Sequence, residues 1–147
     1  MNATANEGIY IEIYLDAPTS DVWHAWTDAS LVLKWFGSES ETLGLNAVLD
    51  VRPGGNYSIS FRDTEGTEHT CSGVYSIVDM GHQLSFSWVW KSEPGVESFV
   101  SVELIPEGNG TLMRFRHADI GTESAHNYSE GWKGTFTRLE KLLQEKN

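Results

Sequence analysis

The sequence is poor in cysteine, proline and positive charge. It has one cysteine, Cys71, and 4 prolines in 147 residues, and 21 acidic residues outnumber 10 basic ones for a net charge of −11. A single cysteine excludes an intramolecular disulfide and suits a reducing cytosol. The acidic balance repels phosphate backbones and anionic lipid, so neither nucleic acid nor a membrane is an expected partner. No apolar run approaches the ~20 residues of a spanning helix. The stretch Met1–Gly8 is polar and does not follow the basic-then-apolar order of a secretory signal, so a cytoplasmic place is expected.

Metal-binding signatures are missing as well. Neither Cys-x-x-Cys nor His-Glu-x-x-His occurs, and the nearest approach to a ligand set is His69 and Cys71 with His82. No metal and no other cofactor is expected. The Pro53-Gly54-Gly55 and Gly108-Asn109-Gly110 segments do not lead from a strand into a helix, so they read as hairpin turns and not as phosphate cradles. The carboxylates Glu97, Glu103, Asp119 and Glu123 sit in polar stretches and read as solvated surface charge. Arg62, Arg114 and Arg116 read as partners of surface acids on neighbouring strands.

Aromatic residues and glycines are abundant: 6 Trp, 5 Tyr, 6 Phe and 14 Gly. Length and composition fit one domain over residues 1–147 with its core at about 9–143. Residues 9–16 alternate Ile9, Ile11, Ile13 and Leu15 with Tyr10, Glu12 and Tyr14, the period of two of a half-buried strand. Thr19 or Ser20 is placed to cap a short helix ending near Thr27, with Val22, Ala25 and Trp26 on one face. Asp28 and Ser30 start a second helix, carrying Leu31, Leu33 and Trp35, that Gly37 stops.

Six strands follow, predicted at 45–52, 56–62, 69–78, 84–90, 96–105 and 111–118 and joined by hairpin-length links that imply antiparallel pairing. Residues 122–144 have helical spacing, with Tyr128, Trp132, Phe136, Leu139 and Leu143 as an apolar stripe. Gly131 and Gly134 inside it suggest a close approach to the helix backbone. The fold class is α+β: a curved antiparallel sheet around a long C-terminal helix, with two short helices after the first strand. Such an arrangement leaves room for a hollow between sheet and helix.

Several segments carry a resemblance. They are Ala17-Pro18 through Val22-Trp23-His24-Ala25-Trp26-Thr27-Asp28, Leu33-Lys34-Trp35-Phe36, Arg52-Pro53-Gly54-Gly55-Asn56-Tyr57, Gly73-Val74-Tyr75-Ser76-Ile77, Leu84-Ser85-Phe86-Ser87-Trp88, Gly110-Thr111 with His117, and Gly131-Trp132 followed by Leu139. In that order they resemble the START-like superfamily, also called SRPBCC or Bet v 1-like. Within it they are most similar to the branch of the C-terminal domain of the heat-shock protein 90 ATPase activator. The resemblance runs from about Ile9 to Leu143 and implies a helix-grip fold with a hydrophobic cavity. Members of the superfamily bind lipids, polyketides, hormones or chaperones, and some are cyclases.

The expected lining of the hollow is Trp26, Trp35, Tyr57, Ile59, Phe61, Phe86, Trp88, Trp90, Met113, Phe115, His117, Tyr128, Trp132 and Phe136. Such a wall suits a small hydrophobic or aromatic molecule. His117 shares a face with Met113 and Phe115, where an imidazole serves a ligand or, more commonly, a structural hydrogen bond. Three functions compete. The first is binding of a small hydrophobic or aromatic ligand. The second is a chaperone-associated or other protein-interaction module. The third is a cyclase- or hydrolase-like enzyme, which no legible nucleophile supports, with His117 and Tyr57 or Tyr75 as its acid–base pair. Trp23 and Tyr14, expected to be exposed, leave a monomer and a homodimer both open.

Overall fold

The computed structural model describes residues 8–37, 42–118 and 128–146. The chain runs through β1 (Ile9–Leu15), α1 (Thr19–Thr27), α2 (Ala29–Trp35), β2 (Leu43–Leu49), β3 (Asn56–Arg62), β4 (Glu68–Asp79), β5 (Gln83–Trp90), β6 (Glu97–Glu107), β7 (Gly110–Ala118) and α3 (Tyr128–Lys146). The strands form one seven-stranded antiparallel sheet in the order β1-β7-β6-β5-β4-β3-β2. Each of β2 to β7 pairs with its sequence neighbour, as hairpin links require, and β1 closes on β7 with Ile9 opposite His117 and Leu15 opposite Thr111.

Alternation decides the faces. Tyr57, Ile59 and Phe61 of β3, Leu84, Phe86, Trp88 and Trp90 of β5, and Met113, Phe115 and His117 of β7 all point inward and are buried. Trp132, Phe136, Leu139 and Leu143 of α3 pack onto that face, and α1 and α2 cover the rest. The outward face carries ion pairs across strands, Arg114 to Glu12 at 2.8 Å and to Glu103 at 3.9 Å, and Arg62 to Glu68 at 3.2 Å. The expectation that Arg62 and Arg114 serve surface acids therefore holds.

Local corrections have physical reasons. Neither Thr19 nor Ser20 caps α1, because the helix begins one residue earlier than the cap rule supposes. Pro18 is the N-cap, and its carbonyl accepts from the N–H groups of Asp21 and Val22 at 3.0 and 3.2 Å. Asp28 does the work expected of it twice over. Its backbone N–H closes α1 on the His24 carbonyl, while its carboxylate caps α2 by accepting from the Ser30 and Leu31 N–H groups. The Ser30 side-chain bond holds that carboxyl below the usual aspartate range. On α2 the fully buried pair is Val32 and Trp35, with Leu31 and Leu33 only half-buried. β2 starts two residues before and ends three residues before the predicted strand, since Asp50 and Arg52 are already engaged in the turn.

Trp23 is buried, not exposed, because α1 is covered on two sides. It offers no dimer surface, whereas Tyr14 does remain exposed. Gly131 meets nothing within 4 Å of where a Cβ would stand, so no close approach among the described residues explains it. The predicted start of the last helix, residues 122–127, lies outside the described residues, as do Asp119 and Glu123.

Gly73 is a glycine fixed by a close backbone approach within the sheet. It sits inward on β4 opposite Tyr57, and a Cβ there would run into the backbone carbonyl of Ser87 on β5. The Tyr57 hydroxyl donates to that same carbonyl at 2.7 Å, so its ring spans the strand that lacks a side chain. Gly73→Ala is expected to lower unfolding stability by about 1–3 kcal/mol, the usual range for overpacking against an unyielding neighbour. Urea unfolding of the two proteins checks this, and equal midpoints would refute it.

Candidate functional site

The site is the concave face itself. Its centre is a continuous stack of rings. Phe115 lies 4.5 Å from Trp132 and 4.9 Å from Phe136, Trp88 lies 5.2 Å from Trp132, and Trp26 lies 4.8 Å from Trp35. Tilted and edge-on arrangements prevail, the geometry that ring quadrupoles favour. Of the residues expected to line a hollow, Trp35, Phe61, Trp88, Trp90, Met113, Phe115, His117, Trp132 and Phe136 are buried in this packed body. The side chain of Tyr128 lies outside the described residues.

Free space remains beside the stack, between α1, α2 and strands β2 to β5. It is lined by Trp26, Tyr57, Ile59 and Phe86, all four expected, together with Val32, Phe36, Leu49, Tyr75 and Leu84. Water centres have about 10 Å³ there, about what a single water needs. The lining holds no charged side chain. Its polar atoms are the Tyr57 and Tyr75 phenols and the Trp26 indole N–H. Burial pushes both phenols well above the ordinary tyrosine range, with Cys71 and Tyr75 adding to the effect at Tyr57, and Asp50 and Cys71 at Tyr75. Both are neutral donors at any physiological pH. Burial likewise pushes the Cys71 thiol up, which leaves it unreactive.

The Trp26 N–H is the chemical anomaly among the side chains that line the void. Trp26 is 4% exposed, and its Nε1 has no hydrogen-bond partner among the described residues. Trp88 Nε1, deeper in the stack, is in the same position. By contrast the Trp35 Nε1 donates to the Ala25 carbonyl at 2.9 Å. A buried donor left without an acceptor costs about 1–3 kcal/mol, so two such groups in one core are unusual.

His117 is the opposite case, with every proton placed. Indole nitrogen only donates, so Trp132 Nε1 donates to His117 Nδ1 at 2.9 Å. The ring proton is therefore on Nε2, which donates to Ser98 Oγ at 2.7 Å. The Ser98 hydroxyl in turn donates to the Trp88 carbonyl at 3.3 Å. Burial lowers the His117 pKa to about 3, so the imidazole is neutral and both nitrogens are engaged. His117 holds α3 to β6 and β7.

The His69–Cys71–His82 grouping is not assembled. Cys71 is buried on the inner face, His69 bonds Asp63 at 2.9 Å, and His82 stands in the exposed turn after β4. The His69 bond is the chief cause that holds the Asp63 carboxyl below its ordinary range. Among the described residues no three His, Cys, Asp or Glu side chains converge as a metal site would need. None of the described helices is long and apolar enough to cross a membrane.

The residues that sequence reasoning missed are informative. Leu84 shares the face of Phe86, and simple alternation puts it there. Phe36 follows the last turn of α2 in extended conformation, where helical periodicity no longer speaks. Tyr75 lies where the β4–β5 register slips between Tyr75 and Ile77, which blurs the period of two.

A sheet of seven antiparallel strands closed by a C-terminal helix, with two short helices filling the gap, defines the SRPBCC or Bet v 1-like class. Residues 16–144 match the family model described as Activator of Hsp90 ATPase homolog 1-like protein, and the chain belongs to that family. Solved structures agree in fold. CalU16 from Micromonospora echinospora is 28% identical with a TM-score of 0.72, over 94% of this chain and 76% of that one. A Nitrosomonas europaea protein is 25% identical with a TM-score of 0.79, over 99% and 98%. The AHSA1-like protein from Aeromonas hydrophila is 20% identical with a TM-score of 0.78, over 95% and 94%. No curated protein matches the chain.

The histidine bridge predicts a pH dependence of stability. The folded pKa, about 3, lies below the unfolded value of about 6.5. Between these the unfolded chain binds a proton that the folded chain refuses, so stability rises with pH across the window and is flat above it. Lowering the pH from about 6.5 towards 3 should cost the wild type up to ~1.4 kcal/mol per pH unit more than His117→Gln, which has no imidazole to protonate. Parallel urea titrations of the two proteins across that range would contradict the assignment if the curves kept a constant separation.

Proposed function

We propose that the protein binds a small, neutral, flat and largely apolar molecule carrying a hydrogen-bond acceptor, seated between α2 and the concave face of the sheet. The observation that carries this reading is the unpartnered Trp26 N–H in a wall otherwise made of rings and aliphatic side chains. Rings supply stacking and apolar burial, and the indole supplies one directional contact. The absence of charge in the lining disfavours an ionised ligand, whose desolvation nothing there would offset. Room for about one water does not admit a ring, so the ligand's ring displaces side chains of the wall on entry.

The test compares two probes of one shape, 2-acetylnaphthalene and 2-ethylnaphthalene. An acceptor that satisfies a buried donor is worth about 1–3 kcal/mol, so the ketone is expected to bind roughly 5- to 100-fold more tightly. Trp26→Phe should abolish the preference while leaving the ethyl compound's affinity within about two-fold. Equal affinities for the wild type, or no binding of either probe by tryptophan fluorescence and by thermal shift, would dismiss the proposal.

The family match favours a second reading, a module that acts on a chaperone. Added to Hsp90, the full chain should then raise its ATPase rate in a saturable way. A flat response up to high micromolar concentration would set that reading aside.

A further inference from the structure

We infer that Arg138 is the latch of the chamber: its guanidinium, reaching from α3, holds the C-terminal end of α2 and Phe36 closed over the void, and a ligand enters when that hold is released. The inference rests on the binding reading above and adds to it the element that controls access.

One side chain gathers four backbone carbonyls from two segments. Arg138 Nη1 donates to Phe36 O at 2.8 Å and to Gly37 O at 3.3 Å, and Nη2 donates to Lys34 O at 3.0 Å and to Thr42 O at 3.2 Å. Lys34 and Phe36 belong to the last turn of α2 and its cap, whose carbonyls have no helical partner of their own. A cation there also faces the negative end of the helix. Arg138 therefore serves as the C-cap of α2 from another element, and the fork geometry of guanidinium is what lets one group span the set.

The residue whose carbonyl it holds is part of the wall of the void. Phe36 lines the space and packs on Trp35 at 4.9 Å, Trp88 at 6.0 Å and Trp132 at 6.0 Å. Its carbonyl takes the shortest of the four bonds. Gly37 completes the fit. It has φ +112°, and a Cβ there would collide with the Thr42 side chain and press on Arg138 Nη1, so the chain can cross the guanidinium only as glycine. The wall on the other sides of the void belongs to the sheet and to α1, whose Ala25 carbonyl is tied to Trp35 by the buried indole bond. Arg138 is thus the exposed-side fastening of a short helix whose inner side makes apolar contacts and the Trp35 indole bond to α1. Four neutral carbonyls hold the cation, so the latch can open by exchanging them for water without breaking an ion pair to any of the described residues.

The test uses Arg138→Met, which keeps the aliphatic stem, and Arg138→Lys, which keeps the charge but cannot span four acceptors. Two quantities are read on the full chain. The first is hydrogen exchange of the α2 amides, including the Phe36 N–H bonded to Val32 O, against β5 and β6 as internal reference. The second is the stopped-flow association rate of 2-acetylnaphthalene. Both variants should exchange α2 at least ten-fold faster with the reference strands unchanged, and Arg138→Met should bind the probe at least ten-fold faster. Unchanged α2 exchange overturns the latch, whatever the probe does. Faster α2 exchange with an unchanged association rate places the entrance elsewhere and overturns the gating role. No probe binding by the wild type or either variant, with α2 exchange accelerated, sinks the binding reading and the gate with it. Should Arg138→Met fail to fold, Arg138→Lys carries the same comparisons.

Discussion

The packing of Trp132 and Phe136 against Phe115 and Trp88 is the contact on which the rest of the molecule depends. A curved sheet presents an apolar face that water would otherwise cover, and α3 supplies the matching stripe. Burying one aromatic side chain is worth about 1.5–3 kcal/mol, and ring pairs at these separations add about 0.5–1.5 kcal/mol each. Two polar contacts then fix where α3 can sit. The Trp132–His117–Ser98 chain sets its place along the strands, and Arg138 sets its distance from α2. Thr111, through its bond to the Ala17 carbonyl at 2.7 Å, holds the start of α1 to β7, so the two short helices inherit the same frame.

That frame explains why the two kinds of buried nitrogen mean different things. His117 sits where two polar neighbours from separate elements converge, and each of its ring atoms has one task. Its low pKa follows from burial, and protonation would turn the Trp132 bond into a clash of two donors. Trp26 sits where only rings and aliphatic groups converge. A buried indole N–H without an acceptor costs about 1–3 kcal/mol, which the apolar area that the ring buries offsets at least in part. On the proposed reading, a ligand's acceptor would remove that cost at position 26. Trp88 poses the same question one layer deeper in the stack.

The strands were legible in the sequence because a sheet with one wet face writes its period directly, as in Tyr57, Ile59 and Phe61 or in Leu84, Phe86, Trp88 and Trp90. Turn residues were legible too, since Gly54, Gly66, Gly81 and Gly108 all take positive φ. Pattern reading failed where a residue's surroundings come from far along the chain. Trp23 looks like the outer side of a helix that has one apolar face, but α1 is covered on two sides. Phe36 and Tyr75 line the void although one follows a helix end and the other precedes a register slip. Nothing in the helical spacing singles out Arg138, whose carbonyl partners lie about a hundred positions earlier. Of the fourteen residues in the expected wall, thirteen are buried, and the side chain of Tyr128 lies outside the described residues. Alternation could not say which of them fill one another's space, because that depends on ring orientation.

A narrow void changes what recognition at the proposed site would require. Where a hollow is already open, affinity follows from lining and shape. Here the void has space for about one water, so a ligand of the proposed kind would compete with the protein's own side chains for the same volume. The apparent affinity is the intrinsic affinity of the open form multiplied by the fraction of molecules that are open. A chamber open in about one molecule in a hundred binds about 100-fold more weakly than its open form would. On the proposed reading, the closing contacts would select ligands as strictly as the lining does. Only a molecule that restored the lost ring contacts and also satisfied the Trp26 N–H would recover more than the displaced Phe36 gave up. A purely apolar intruder would replace like with like and gain little. Dense packing around the void is thus what would make one unpaired indole discriminating.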